Sequence, residues 1–192
     1  MNLFSILFFV LFCLVLPYQV LAQDNQEYLQ EEEQILPVEP TAPTIIGLYG
    51  PRVGVAYVIT SPEEFTNQVN KIYGGDNFYP IFSVFAINLE QRILLGETNS
   101  HFAFQEIILI GGVDQGILLP SGTFMIGYRH SKGFEFGMGP NLSFSGLGLV
   151  AAIGKTFSTR GVFIPIDISL VFPNQNSSPR LALTTGFNFV VK

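Results

Sequence analysis

Hydrophobic residues alternate with small or polar residues along much of this chain, with the period of two that is typical of a β-strand. The alternation is clearest near the end of the sequence. One side of this last segment carries Leu181, Leu183, Thr185, Phe187, Phe189 and Val191, and the other carries Arg180, Ala182, Thr184, Gly186, Asn188 and Val190. Strands are also predicted in seven more segments: Arg52–Thr60, Pro80–Leu95, His101–Leu119, Thr123–His130, Phe134–Leu142, Leu147–Phe157 and Val162–Phe172. The pattern therefore predicts eight strands.

Turns rich in glycine and proline separate the predicted strands, at spacings that favour an antiparallel meander over a βαβ fold. Turns are predicted at Pro120–Gly122 and at Ser131–Gly133, and Gly111-Gly112 predicts a bulge or a break. A three-residue loop at 131–133 would place Arg129 opposite Glu135. The expected fold class is all-β, an antiparallel up-and-down β-barrel of about eight strands.

One helix is predicted, over Pro62–Tyr73, in the longest connection between strands. Ser61 is a candidate N-cap, Pro62 occupies the first helical position, and Glu64 completes a capping box. The apolar stripe of this helix consists of Phe65, Val69, Ile72 and Tyr73. Such a stripe lets one side of the helix pack against the rest of the protein.

The first 43 residues differ in composition from the rest and are expected to lie outside the barrel domain, 44–192. Residues 1–22 are predicted to be a signal peptide, because Leu3–Leu16 is an almost entirely apolar run. An uncleaved anchor helix is the alternative. Residues 23–43 are expected to form a disordered acidic leader, since they hold six acidic residues and no Lys or Arg. Cys13 is the single cysteine, so the mature chain has no disulfides.

The side of the strands opposite the apolar side indicates a membrane barrel rather than a soluble one. It carries small residues such as Gly137, Ala152 and Gly186, which suit the crowded interior of a narrow barrel. Residues 41–192 contain 18 charged residues, about half the share that is usual in a soluble domain. We therefore expect an exported bacterial outer-membrane protein with a structural or passive role and no enzymatic activity. Both termini should lie on one side of the membrane, so the connection with the helix should lie at the outer end.

A soluble periplasmic or secreted β-barrel that binds a small apolar ligand is the alternative, because the strands of soluble sheets alternate as well. A third possibility is an outer-membrane enzyme that acts on lipid, but no base and nucleophile are visible for it. The expected partners are the lipid bilayer and the outer-membrane assembly machinery, and we expect a monomer. The acidic leader and the neutral body exclude nucleic-acid binding, which needs a basic surface.

Six charged residues share the inward side of the predicted strands. They are Glu90, Arg92, Arg129, Glu135, Asp167 and Arg180. Small barrels fill their interiors with side chains, so a structural ion-pair network is expected here. A selective site or a catalytic carboxylate pair is the alternative. His101 and His130 are isolated, so no metal site is predicted. We assign no catalytic or cofactor-binding residue and expect no cofactor.

Three glycine-containing segments resemble a group of exported bacterial proteins of unknown activity. These segments are Gly50–Val55, Gly111–Gly116 and Phe134–Asn141, and the resemblance implies export and β architecture. The final segment, with Gly186, Phe187, Phe189 and Val191, is similar to the C-terminal signal that the barrel-assembly machinery reads in outer-membrane proteins. That signal usually ends in an aromatic residue, where this chain has Val191-Lys192.

Overall fold

The computed structural model describes residues 45–75, 77–95, 100–159, 162–174 and 178–191. The predicted signal peptide and acidic leader lie outside the described residues and stay predictions. Among the described residues, no helix has the length and hydropathy that a membrane span requires.

Nine strand segments and one α-helix form the framework of the described chain. In chain order they are β1 (Ile45–Val58), α1 (Pro62–Asn70), β2 (Ile81–Leu95), β3 (Ser100–Gly111), β4 (Leu119–Arg129), β5 (Phe134–Ser143), β6 (Gly146–Thr159), β7 (Val162–Pro173), β8 (Arg180–Gly186) and β9 (Asn188–Val190). Each strand from β1 to β7 pairs antiparallel with the next, and β8 pairs with β1, which closes the sheet. β9 continues β8 and pairs with the same two neighbours. The barrel therefore has eight strands in up-and-down order, and the predicted fold class is confirmed.

The strands are strongly staggered around the barrel. Following paired residues from Gly47 through each strand in turn leads back to β1 at Tyr57, ten residues farther along. In a barrel of eight strands, such a stagger goes with a strand tilt of about 40°. β1 to β7 contain 10 to 15 residues each. About 9–11 residues of a tilted strand are enough to cross the hydrocarbon core of a membrane.

The last strand is divided at Phe187 because its neighbour in β1 at that point is Pro51. The register continues unchanged on both sides of the gap, with Gly186 opposite Arg52 and Phe189 opposite Tyr49. Phe187 N donates to Pro51 O at 3.2 Å, but proline has no N–H to donate in return. The strand predicted from residue 180 onward is thus one path with a local gap in its ladder.

The hairpin between β4 and β5 has the three-residue turn that the sequence predicted. His130 N donates to Phe134 O at 2.8 Å, and Gly133 N donates to His130 O at 2.8 Å. Gly133 has a φ of 88°, a left-handed conformation that glycine adopts without strain. Arg129 consequently lies opposite Glu135, and this predicted pairing is confirmed.

The turn predicted at Pro120–Gly122 is wrong, because these residues belong to β4. The chain turns earlier, through a 3₁₀ turn at Val113–Gln115. The flanking residues Gly112 and Gly116 have φ values of 81° and 73°. The turn therefore forms where glycine permits a left-handed backbone, rather than at the proline.

Two strand ends in the first half of the barrel also bear on the predictions. β1 begins at Ile45 rather than at Arg52, because its antiparallel pairing with β2 continues as far as Ile45 and Ile93. β3 ends at Gly111, where the sequence predicted a bulge or a break.

α1 begins at the predicted position and ends earlier than predicted. Ser61 is its N-cap, since Ser61 Oγ accepts from Glu64 N at 3.2 Å. The helix ends at Asn70 rather than at Tyr73. Tyr73 still packs near the helix, and its Oη donates to Leu118 O at 2.7 Å.

The buried side of α1 packs into the end of the barrel where β1 ends and β2 begins, which we call the helix end. Phe65 is completely buried, and its ring stacks on Phe82 with centroids 5.8 Å apart. The core at this end consists of Ala56, Val58, Phe65, Val69, Phe82, Val84, Ile117, Leu119 and Ala182. Ile72 of the predicted stripe is 56% exposed instead. The opposite end, where β1 begins and β9 ends, we call the terminal end.

Candidate functional site

A buried carboxylate, Glu90, lies at the centre of a polar cluster inside the barrel. β2 places it on the inward side, where it is 2% exposed. Glu90 Oε1 accepts from Arg92 Nε at 2.7 Å and from Arg129 Nε at 2.9 Å. Glu90 Oε2 accepts from Gln105 Nε2 at 3.1 Å. A buried charge is tolerated when it has both opposite charges and hydrogen bonds, and Glu90 has both.

Arg129 joins Glu90 to a second carboxylate, Glu135. Arg129 is the last residue of β4, and Glu135 faces it across the hairpin. Arg129 Nη1 forms an ion pair with Glu135 Oε2, and Thr156 Oγ1 donates to the same oxygen at 3.1 Å. These residues and Arg92 form one connected network in the half of the lumen that is nearer the terminal end.

Asp167 lies beside this network because a glycine leaves room for it. Gly154 is the register partner of both Glu135 and Asp167. A Cβ atom at Gly154 would collide with Asp167 Oδ1, so a larger residue would displace this carboxylate. Arg52 Nη1 lies 3.9 Å from Asp167 Oδ2, at the outer limit of an ion pair.

Arg180 lies apart from this network, at the helix end of the barrel. It is the first residue of β8 and is half-buried. Arg180 Nη2 donates to Asn141 Oδ1 at 3.0 Å and lies 3.5 Å from Ser121 Oγ. Asn141 is held in place by Thr123, whose Oγ1 accepts from Asn141 Nδ2 at 2.7 Å. Both partners of Arg180 in the described part of the chain are therefore neutral.

A cavity of about 80 Å³ lies in the lumen between Arg180 and the network around Glu90. One of its walls, formed by β5 to β8, is lined by small residues that include Gly137, Ala152, Gly154, Ser169, Ala182 and Thr184. The facing wall, formed by β2 to β4, carries the polar residues Gln105, Ser121 and Thr123, but most of its lining is apolar: Phe82, Val84, Ile107, Leu109, Leu119 and Met125. The cavity thus has one largely apolar wall and charged groups at both ends.

The outer face of the barrel is predominantly apolar. At least nine phenylalanines point outward and are 41–60% exposed: Phe85, Phe102, Phe124, Phe134, Phe136, Phe157, Phe172, Phe187 and Phe189. In the described strands, the charged residues on this face are Glu106 and Lys155. Glu106 lies between Leu89 of β2 and Phe124 of β4.

No protein-family model matches the chain, and no curated protein matches it. Among solved structures, the chain is similar to the outer membrane protein Ail of Yersinia pestis, whose backbone structure is known in a phospholipid bilayer nanodisc. The two are 13% identical, the similarity covers 74% of this chain and 99% of Ail, and the TM-score is 0.40. An acetoacetate decarboxylase-like enzyme from Sphingomonas wittichii RW1 is 7% identical over 77% of this chain and 92% of its own, with a TM-score of 0.22. Similarity at this level assigns the chain neither to a family nor to a function. The resemblance to exported bacterial proteins stays a prediction.

The residues of the candidate assembly signal lie on both sides of the last strand. Phe187, Phe189 and Val191 point outward and are 42–49% exposed. Gly186 is buried on the inward side, and a Cβ there would collide with the backbone of β1. Val190 departs from the predicted alternation. It is 43% exposed, whereas Gly186 and Asn188, on the same side of the strand, are buried.

The two histidines make no metal site with other residues of the described ranges. His101 lies near the start of β3, and His130 lies in the turn after β4, where its Nδ1 accepts from Lys132 N at 3.1 Å. Within those ranges, no three or more His, Cys, Asp or Glu side chains are grouped so that they could hold a metal ion.

The lumen also contains polar residues that the sequence did not single out, among them Arg52, Gln105 and Asn141. Arg52 is 4% exposed and has the same parity as Gly54 and Ala56, so alternation alone predicts an inward position. Asn141 has the same parity as Glu135 in β5, so alternation also predicts an inward position for Asn141. Gln105 lies in the predicted strand His101–Leu119, for which the sequence analysis assigned no inward side.

Proposed function

We propose that this protein is an outer-membrane β-barrel with a structural or passive role. The observation that carries the proposal is the apolar outer face. A phenylalanine has roughly 150–250 Å² of surface, so nine of them at about half exposure present on the order of 700–1,100 Å². The largest apolar patch on a typical soluble monomer is about 300–600 Å². The nine rings are spread around the barrel, but exposed Ile, Leu, Val and Met side chains lie between them, so the combined apolar surface exceeds that range.

The scarcity of charge on the outer face also favours lipid over water. Of the two outward charges in the described strands, Lys155 lies against aromatic rings, with its Nζ 5.0 Å from the Phe134 centroid and 5.2 Å from that of Phe157. A long lysine side chain can extend from such a position toward the membrane interface. Glu106, near the middle of β3, is the exception.

Aromatic side chains gather on the outer face near the terminal end, where a membrane barrel has a girdle of such residues. The ring centroids of Tyr49 and Phe189 are 6.2 Å apart. The ring centroid of Tyr128 lies 6.4 Å from that of Phe102 and 5.8 Å from that of Phe136. Aromatic rings are favoured at the level of the lipid headgroups. We therefore assign the terminal end to one membrane interface.

The connections at the two ends differ in length, and this difference gives the orientation that we propose. The helix end carries the connection over residues 59–80, which contains α1, whereas the terminal end carries the three-residue turn between β4 and β5. Outer-membrane barrels have short periplasmic turns and longer extracellular loops. The helix end accordingly faces the exterior of the cell, and the terminal end faces the periplasm.

The packing of the lumen favours a passive role over catalysis. The network around Glu90 occupies the half near the terminal end, and the core around Phe65 closes the helix end. Catalysis needs a nucleophile and a base that reach a substrate. The carboxylates Glu90 and Glu135 are instead paired with arginine.

We also assign to the last strand the role of assembly signal, through Gly186, Phe187, Phe189 and Val191. Phe189→Asp puts a charge on the lipid side and should prevent folding and insertion, whereas Phe189→Leu keeps the position apolar and should insert in isolated membranes. Heat-modifiable gel mobility of each variant in these membranes is the measurement. If Phe189→Asp inserts as well as the parent, both the orientation of the strand and its role in assembly are wrong.

Membrane fractionation with a carbonate wash tests the proposed function against the soluble alternative. We expect the protein to stay in the washed outer-membrane fraction and to show heat-modifiable mobility there. Release into the soluble fraction would contradict the proposal and would favour a soluble barrel that binds a small apolar ligand.

A further inference from the structure

The lumen contains space that the ion-pair network does not fill. The cavity measures about 80 Å³, and one water occupies roughly 10–15 Å³ by the same measure. It therefore has room for roughly five to eight non-hydrogen atoms. The space exists because the wall formed by β5 to β8 carries glycine, alanine, serine and threonine where larger side chains would fill the lumen.

The charges that face the lumen do not balance among the described residues. Four arginines, Arg52, Arg92, Arg129 and Arg180, stand against three carboxylates, Glu90, Glu135 and Asp167. The ion pairs recorded in the described ranges use the first three arginines. Arg180 is left with Asn141 Oδ1 at 3.0 Å and Ser121 Oγ at 3.5 Å. A half-buried guanidinium with neutral partners favours an anion beside it.

The cavity combines this cation with an apolar wall. Arg180 lines it together with Phe82, Val84 and Leu119. We propose that the cavity binds a short-chain carboxylate of about five to seven non-hydrogen atoms. The carboxylate group pairs with the guanidinium of Arg180, which suits planar bidentate recognition, and the hydrocarbon tail lies against the apolar wall.

The charges at the other end of the cavity set the direction in which the ligand binds. Glu135 and Asp167 line that end, where Arg129 and Arg52 face them. The arginines at that end already have carboxylate partners, whereas Arg180 has only neutral partners among the described residues, so an anionic group is attracted to Arg180.

Thermal unfolding of the full chain tests this inference, in lipid nanodiscs or, if the carbonate wash releases the protein, in buffer. Butyrate is the probe, and butylamine, 1-butanol and acetate are the comparison compounds. Butyrate should raise Tm in a saturable manner, because a ligand that binds the native state stabilises it. The three comparison compounds should have much smaller effects, since each lacks either the anionic group or the tail.

Variants locate the site. Arg180→Gln should weaken butyrate binding roughly tenfold to hundredfold, because it removes the charge-assisted hydrogen bonds to the carboxylate group. Arg180→Lys should keep part of the affinity because it keeps the charge. Lys155→Gln, which removes a cation from the outer face, should leave butyrate binding unchanged.

Three results would overturn the inference. Equal stabilisation by butanol or butylamine would show that charge does not select the ligand. Binding of acetate as tight as that of butyrate would show that the apolar wall contributes nothing. Unchanged binding of butyrate to Arg180→Gln would put the ligand elsewhere. None of these results depends on where the protein resides, so they are separate from a failure of the membrane proposal.

Discussion

Replacing Glu90 by glutamine perturbs the centre of the packed lumen. Arg92 and Arg129 donate to Glu90 Oε1 at 2.7 and 2.9 Å, and Gln105 donates to Oε2 at 3.1 Å. Glutamine has nearly the same shape without the charge, and its amide replaces one of the two acceptor oxygens by an NH2 group, which only donates. Two buried guanidinium groups then lose a shared counter-charge. Breaking a buried ion pair in this way costs about 3–5 kcal/mol.

A cost of this size is a large part of the stability of a typical domain, which is about 5–15 kcal/mol. This cost is measured by urea unfolding in lipid vesicles, with heat-modifiable gel mobility as the readout. With a slope of about 2 kcal/mol per molar urea, the unfolding midpoint of Glu90→Gln should fall by roughly 2 M.

Glu106→Gln is the matched control, because it makes the same chemical change on the outer face of the neighbouring strand. Glu106 lies between Leu89 and Phe124. Its midpoint should stay unchanged or rise, since a carboxylate in the middle of a lipid-facing wall is unfavourable. The reasoning about the lumen is refuted if the urea midpoint of Glu90→Gln lies within about 0.5 M of that of the parent. It is also refuted if Glu90→Gln and Glu106→Gln lower the midpoint equally.

Three further predictions concern other parts of the barrel. Phe65→Ala should lower the free energy of unfolding by about 3–5 kcal/mol, because the ring is completely buried. Ile72→Ala, at an exposed position, should change the free energy of unfolding by less than about 0.5 kcal/mol. If urea unfolding shows equal losses for the two variants, Phe65 does not belong to a packed core at the helix end. Gly154→Ala should cost about 1–3 kcal/mol, because the new Cβ collides with Asp167 Oδ1; an unchanged thermal midpoint would show that this carboxylate is not held there. Burial acts to raise the pKa of Asp114, but hydrogen bonds from a serine of β2 hold this pKa below its ordinary value of 3.8. Since the folded pKa is the lower one, the stabilisation is present above pH 3.8 and is lost as the pH falls through the folded pKa. When the free energy of unfolding is measured against pH, Asp114→Asn should lack this acid loss of stability. If the variant and the parent have identical pH profiles, the hydrogen bonds to Asp114 do not stabilise the fold.

The strand pattern could be predicted because side-chain parity follows from strand geometry alone. In β5, for example, Phe134 and Phe136 are exposed while Glu135 between them is buried. Turn positions were less predictable. Pro120 is typical of a turn, yet β4 accommodates it at an exposed position, and the chain turns at Val113–Gln115, between two glycines in left-handed conformations.

The sequence could predict which charges share a side of the sheet, but only in part which of them meet. Arg129 and Glu135 meet across a short hairpin, so the loop length was enough. Glu90 and Arg129 lie on β2 and β4, which are not neighbours, and they meet across the lumen. That contact depends on the stagger and the radius of the closed barrel, which no local pattern contains. The separation of Arg180 from the network follows from the same global geometry.

Quenching of single tryptophans by brominated lipids tests the membrane proposal most directly. The chain has no tryptophan, so each variant reports on one position. Phe124→Trp puts the probe on the outward side of β4, and Tyr79→Trp puts it in the connection before β2, where the tyrosine is 62% exposed. The proposal predicts strong quenching of Phe124→Trp by bromines near the bilayer centre and little quenching of Tyr79→Trp. Equally weak quenching of both variants in a folded barrel would contradict it, because the outer face would then not meet lipid.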